Sequence, residues 1–176
     1  MGQTIRRATA DDITGIQRAV ANSWRQGYGG LISEEQLIEL TDKPAEFYPE
    51  ERFQRKLSDE ELLFFVALSD DEIAGIINFC WGEDNTHEFV KPDGCEIRSL
   101  YLDPKFWREG IGTSLFETGR KAIPGEIDEL FVEVLSANER GRAFYESIEF
   151  TRFDHRTITL YSEPLETQLY RRETQI

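Results

Sequence analysis

Two apolar runs constrain this chain more than any other feature. Leu62-Leu63-Phe64-Phe65-Val66-Ala67-Leu68 and Ile73-Ala74-Gly75-Ile76-Ile77-Asn78-Phe79-Cys80-Trp81 are separated only by Ser69-Asp70-Asp71-Glu72. A strand without polar alternation has no face to give to water, so both of its sides must be covered. The polar turn between the runs predicts a hairpin. Two neighbouring strands buried on both faces exclude a one-sided sheet. They require helices on both sides of a sheet, which places the chain in the α/β class.

The rest of the sequence supplies those helices and more strands. Ile5–Ala8 reads as a short strand, and Thr9 with Asp12 forms a capping box ahead of Ile13, Ile16 and Val20 at helical spacing. Ser23–Leu31, with Trp24, Tyr28 and three glycines, reads as a loop or broken helix. Ser33 caps a helix through Leu40, and a polar helix spans Glu50–Leu57. Gly82–Gly94 is a polar loop, and Glu96–Leu102 a third strand ended by Asp103-Pro104. A helix from Ile111 to Ala122 is broken by Pro124-Gly125. Leu130–Leu135 is a strand, Asn138–Ser147 a helix, and two last strands fall near Thr157–Tyr161 and Thr167–Arg172. The order β-α-α-β-β-β-α-β-α-β-β predicts a mixed sheet within one domain of 176 residues. An exposed strand in the C-terminal pair offers an edge through which two copies would form a homodimer.

Composition narrows the function. The net charge is −14, which repels phosphates and argues against a nucleic-acid partner. Acidic residues are spread along the whole chain, and only five of the 20 basic residues are Lys. Such dispersion reads as a solvated, salt-adapted surface, with attraction of cationic substrates as the alternative. The N-terminus lacks the apolar core of a signal peptide, and no apolar run reaches the length of a membrane span. The expectation is a cytoplasmic protein. Cys80 and Cys95 cannot build a disulfide scaffold, and no Cys/His ligand cluster suggests a metal. His87 and His155 lie in polar stretches and read as surface residues.

The chemistry concentrates in Trp107-Arg108-Glu109-Gly110-Ile111-Gly112-Thr113, between a strand end and a helix start. Glycines allow close backbone approach there, and the helix N-terminus offers unpaired N–H groups and a positive dipole end. A pyrophosphate fits that place. The loop lacks the third glycine of a dinucleotide fingerprint and the lysine of a Walker loop.

A second segment turns this weak signal into a specific one. Val132-Glu133-Val134-Leu135-Ser136-Ala137-Asn138 leads into a helix holding Arg142, Phe144 and Tyr145, and closes on Glu149-Phe150. Together with Gly110 and Gly112, this resembles the GNAT superfamily of acyl-CoA-dependent N-acyltransferases. Trp107 departs from the usual Arg or Gln of the cofactor loop, with Arg108 beside it still supplying charge. Glu149 departs from a usual glycine, so a turn that needs φ > 0 there would be built differently. Asn138, Arg142 and Tyr145 share one helical face, while Ala143, Phe144 and Ile148 form an apolar stripe expected to face the core.

The resemblance implies a fold and a mechanism. The fold would be a mostly antiparallel twisted sheet of six to seven strands, splayed at the cofactor site, with about four helices on its two faces. The co-substrate would be acetyl-CoA, held by the backbone of Leu100, Tyr101 and Leu102, by Trp107–Thr113 (Trp107, Arg108, Glu109, Gly110, Ile111, Gly112 and Thr113), and by Asn138, Arg142 and Tyr145. Tyr145 would protonate the departing thiolate. Glu96, on the strand ahead of the loop, would take the proton of the acceptor amine, unless it only pairs with Arg98. Trp24, Tyr28 and Trp81 would line the acceptor side. The acceptor would be a small-molecule amine or a peptide N-terminus. A non-catalytic acyl-CoA-binding sensor is the rival reading, and a phosphate-binding protein sharing only the glycine turn is a third.

Overall fold

The computed structural model describes residues 2–175. They fold into two compact units, one made of the chain up to Phe79 with Ser99–Ile123, the other of Cys80–Arg98 with the chain from Pro124 onward. The second hairpin strand and the strand before the glycine loop each pass from one unit into the other.

In the first unit the strand order is β1 (Gln3–Arg7), β2 (Leu62–Ser69), β3 (Glu72–Trp81) and the end of β4 (Cys95–Leu102). β1 lies antiparallel to β2, from Gln3↔Ser69 to Arg7↔Phe65. Asp70 and Asp71 join β2 to β3 with φ of 48° and 67°. Positive φ at both central residues is the geometry of a two-residue hairpin whose twist matches its strands. The helices are α1 (Ile13–Gly27), α2 (Glu34–Thr41), α3 (Pro44–Phe47), α4 (Glu50–Leu57) and α5 (Ile111–Arg120). Ile16, Ala19 and Val20 of α1 meet Phe53 of α4, Phe64 and Val66 of β2, and Ile73 and Ile76 of β3 in one apolar cluster. Both apolar runs are buried through their centres, as their patterning demanded.

In the second unit the order is β4, β5 (Glu129–Leu135), β7 (Glu163–Glu173) and β6 (Thr151–Leu160), with α6 over Glu139–Ser147. β4 and β5 run parallel from Cys95↔Leu130 to Ile97↔Val132, whereas β7 is antiparallel to both of its neighbours. The fold is a mixed α/β one, with seven strands and six α-helices among the described residues.

Three elements differ from the sequence reading. α1 continues through Gly27, so Trp24 is helical. Its ring stacks on Tyr28 at 3.9 Å and 12°, a contact between residues four apart that lengthens the helix. The last two strands are longer than expected and are joined by Tyr161-Ser162 alone, at φ 48° and 67°. That repeats the Asp70-Asp71 turn without glycine, asparagine or aspartate. In α6 the apolar stripe is shifted: Ala143 is exposed, and Tyr145 and Ile148 are buried. The helix terminus described below turns Tyr145 inward.

Candidate active site

The glycine loop belongs to the first unit and is fixed from both sides. Asp103 ends β4 and caps a short 3-10 turn by accepting from the Lys105 N–H. It is 3% exposed and also accepts from the Asn22 amide at 2.9 Å. The Trp107 indole Nε1 donates to the Leu102 carbonyl at 3.2 Å, and Gln3 Nε2 donates to the Glu109 carbonyl at 3.2 Å. Trp107 therefore ties the loop to β4.

Between those ties, Arg108, Glu109 and Gly110 are exposed. Gly110 stands at the N-cap of α5 with φ 76°, and a Cβ built there meets nothing within 4 Å. Backbone conformation, not space, explains glycine at this position. The loop ends on the first turn of α5, where Ile111 and Gly112 are buried and Thr113 is exposed. Unpaired amides and the positive dipole end of a helix N-terminus favour an anion over a cation at such a place.

Tyr145 belongs to the second unit, and a Schellman motif holds it. The Phe150 N–H donates to the Tyr145 carbonyl at 2.9 Å, and the Glu149 N–H to the Glu146 carbonyl at 3.1 Å. The Phe150 ring packs edge-on against the Tyr145 ring at 5.4 Å, the apolar contact that accompanies this motif. Glu149 takes φ 71° at the left-handed position. The turn is thus built as a glycine would build it, at the cost of a strained side-chain-bearing residue, and the expectation of a different turn is corrected. Tyr145 is 6% exposed.

At the other end of α6, Asn138 is the N-cap, and its Oδ1 accepts from the Gly141 N–H at 2.9 Å. Arg142 sits beside the Tyr170 hydroxyl, which donates to Glu146 at 3.0 Å. Burial, then the hydrogen bond to Glu146, raises the Tyr170 phenol above its ordinary value. Of the three residues expected on one face, Tyr145 is buried while Asn138 and Arg142 are half-buried.

Glu96 also lies in the second unit, 2% exposed. Its Oε2 accepts the His87 backbone N–H at 2.9 Å, and its Oε1 lies 2.6 Å from His87 Nδ1. Arg98, the partner weighed from sequence, is at 3.8 Å. The principal partner is His87, which patterning had left as a surface residue. The loop carrying it is pinned by Cys80 Sγ and Thr86 Oγ1 bonding to the Asn85 and Gly82 carbonyls, and by Lys91 Nζ on Asp128 at 2.9 Å. No local signal marks this contact, because it depends on the loop folding back across β4.

The proposed acceptor aromatics divide between the units. Trp24 and Tyr28 are half-buried in the first, where Trp24 also meets Phe47 edge-on at 5.1 Å; Trp81 ends β3 in the second. Among the described residues, no group of His, Cys, Asp and Glu side chains is arranged to hold a metal ion, and no helix is long and apolar enough to cross a membrane.

Comparison with known proteins completes the picture. The sequence pattern of the acetyltransferase (GNAT) family matches residues 22–150. An uncharacterised N-acetyltransferase from the pepI 3′ region of Lactobacillus delbrueckii subsp. lactis is 30% identical over 112 residues, covering 63% of this chain and 64% of that protein. The chain thus matches somewhat less than two thirds of that relative's length. An N-alpha-acetyltransferase of Saccharolobus solfataricus is 29% identical over 113 residues, covering 61% of this chain and 67% of that one. The crystal structure of a PaiA N-acetyltransferase from Thermoplasma acidophilum, in complex with coenzyme A, superposes with a TM-score of 0.73 at 24% identity, over 95% of this chain and 98% of that chain. With an exposed glycine loop on a helix N-terminus and a matching pattern across residues 22–150, this chain belongs to the acetyltransferase (GNAT) family.

Proposed function

We propose that the enzyme transfers an acetyl group from acetyl-CoA to a primary amine, of a small molecule or a peptide N-terminus, by direct attack on the thioester. The observation that supports this reading is the anchored, exposed turn at Trp107–Gly110 ahead of the first turn of α5. The CoA pyrophosphate would sit there, and the backbone of Leu100–Leu102 would meet the pantetheine arm and thioester. Asn138 and Arg142 would complete the cofactor contacts. Side-chain identity matters little for backbone donors, so the apolar character of Leu100 and Leu102 is compatible with that role.

The chemistry needs three groups. Tyr145 donates its phenolic proton to the sulfur as the thiolate leaves. Backbone N–H groups stabilise the developing oxyanion. Glu96 governs removal of the ammonium proton. An N-alpha-acetyltransferase among the relatives supports trying peptide N-termini first.

The test is mass-spectrometric detection of acetylated product from a panel of short free-N-terminal peptides and polyamines, with acetyl-, propionyl- and succinyl-CoA as donors. Tyr145→Phe should retain CoA binding, seen as a thermal shift, and lose about 10²-fold or more in turnover. Turnover unchanged by that substitution would remove the general-acid role. A protein that CoA does not stabilise would remove the donor.

A further inference from the structure

We infer that His87, through Nε2, is the group that takes the proton from the acceptor amine, and that Glu96 is its positioning residue. The inference rests on the acetyl-transfer reading above and changes which atom does the work. Glu96 is poorly placed to meet a substrate itself. It is 2% exposed, and both of its oxygens are engaged by His87. The His87 side chain, by contrast, is 37% exposed.

The pairing dictates the tautomer. A carboxylate only accepts, so Nδ1 at 2.6 Å from Glu96 Oε1 must carry a hydrogen. In the neutral ring the lone pair is then on Nε2. Arg98 Nη1 lies 3.2 Å from Nδ1 and 3.5 Å from Nε2, nearly equidistant. That places the guanidinium against the ring and not in line with the Nε2 lone pair. Phe89 stacks on the imidazole at 5.5 Å and 14°. The ring is held by a carboxylate and two flat neighbours, with Nε2 the nitrogen that Glu96 does not engage. A base oriented by a third group is the arrangement that proton abstraction requires.

The charges around the ring are mixed. Glu96 and Arg98 come from β4 and Glu88 from the histidine's own loop. From β5, Glu133 senses the His87 charge, and from β6 Arg156 binds Glu133 at 2.6 and 2.8 Å and Glu88 at 3.4 Å. The step balances as follows. The ammonium passes one proton to Nε2, and the nitrogen lone pair it keeps forms the N–C bond. The C–S electrons leave on sulfur, which takes the Tyr145 proton. The phenol regains it from one of the two N–H bonds left on the acylated nitrogen, which keeps the other as the amide N–H, and His87 releases its own proton to solvent.

Wild type, His87→Ala, His87→Gln and Glu96→Gln are compared with acetyl-CoA and a short free-N-terminal peptide, or spermidine, as acceptor. Both His87 variants should lose about 10²- to 10⁴-fold in kcat/KM with the CoA-induced thermal shift intact, and free imidazole should restore part of the His87→Ala loss. The acidic limb of the pH profile should vanish in them. Glu96→Gln should lower kcat with KM little changed and lose the Nδ1–H tautomer; a merely structural carboxylate would leave the tautomer in place. Imidazole ¹⁵N resonances of the wild type should report the Nδ1–H tautomer. An active wild type with His87 variants within twofold of it, or an Nε2–H tautomer, overturns the inference while leaving acetyl transfer standing. A wild type that acetylates no amine overturns both.

Discussion

At the scale of single residues, Glu149 and Trp107 show how departures from a family's usual residues are absorbed in different ways. Glu149 occupies the left-handed position of the Schellman turn at φ 71°, where an L side chain costs roughly 1–2 kcal/mol. Glycine would remove that strain but lose more backbone freedom on folding, so Glu149→Gly should stabilise by about 0.5–1 kcal/mol. Thermal unfolding should then shift upward by about 2 °C. An unchanged or lower midpoint would mean that Glu149 makes compensating contacts in the fold. Trp107 keeps the loop in place with an indole hydrogen bond to Leu102. Trp107→Arg would place the family's usual charge there at the expense of that tie. CoA affinity measured with the variant reports whether the charge or the tie matters more; a weaker Kd is the outcome expected.

At the scale of elements, close packing sets the sharpest constraint. α5 approaches β3 so tightly that a Cβ on Gly119 would stand 2.1 Å from Phe79. Gly119→Ala should destabilise by about 1–3 kcal/mol through overpacking, and Phe79→Leu in the same chain should recover part of the loss in chemical denaturation. The two buried strands, the capped helices and the loop before α5 were all legible in the sequence, because each rests on local patterning or on a helix start. The glycine and Phe-Tyr motifs were legible for the same reason. What escaped was built by contacts between distant residues or by turns with unmarked chemistry. Tyr161-Ser162 makes a tight hairpin without glycine or asparagine, so β6 and β7 read as shorter than they are. Tyr145 was placed off the core because the α6 stripe was read without its terminus, where Phe150 packs on it. His87 meets Glu96 only after its loop folds back, a contact no periodicity can announce.

At the scale of the whole molecule, charge governs how the fold responds to solution conditions. Burial alone would push the Glu133 carboxyl up, but hydrogen bonds from Arg156 and Thr167, with the Arg156 charge, more than offset it and hold the group below its ordinary 4.5. Asp12 behaves likewise: burial opposes, while Arg6 and the Thr9 N–H prevail and hold it below 3.8. Groups with depressed folded values stabilise the native state above their unfolded values and lose that contribution as pH falls through the folded ones. Stability should therefore be level near neutrality and decline from about pH 4.5 downward. A midpoint that holds steady down to pH 3 would contradict this. With a net charge of −14, self-repulsion should ease as salt shortens the screening length from about 10 Å at 0.1 M to about 3 Å at 1 M. The melting temperature should rise over that range, and a fall would assign the larger share to ion pairs such as Arg6–Asp12. The interior thiols have a practical consequence. Cys80 and Cys95 are 1% and 0% exposed, and burial pushes the Cys95 thiol well above its ordinary value. In the native protein neither should react with a disulfide reagent such as DTNB. A colorimetric count of free sulfhydryls during turnover would then register liberated CoA against a silent protein background, so acceptors could be screened continuously without removing the enzyme.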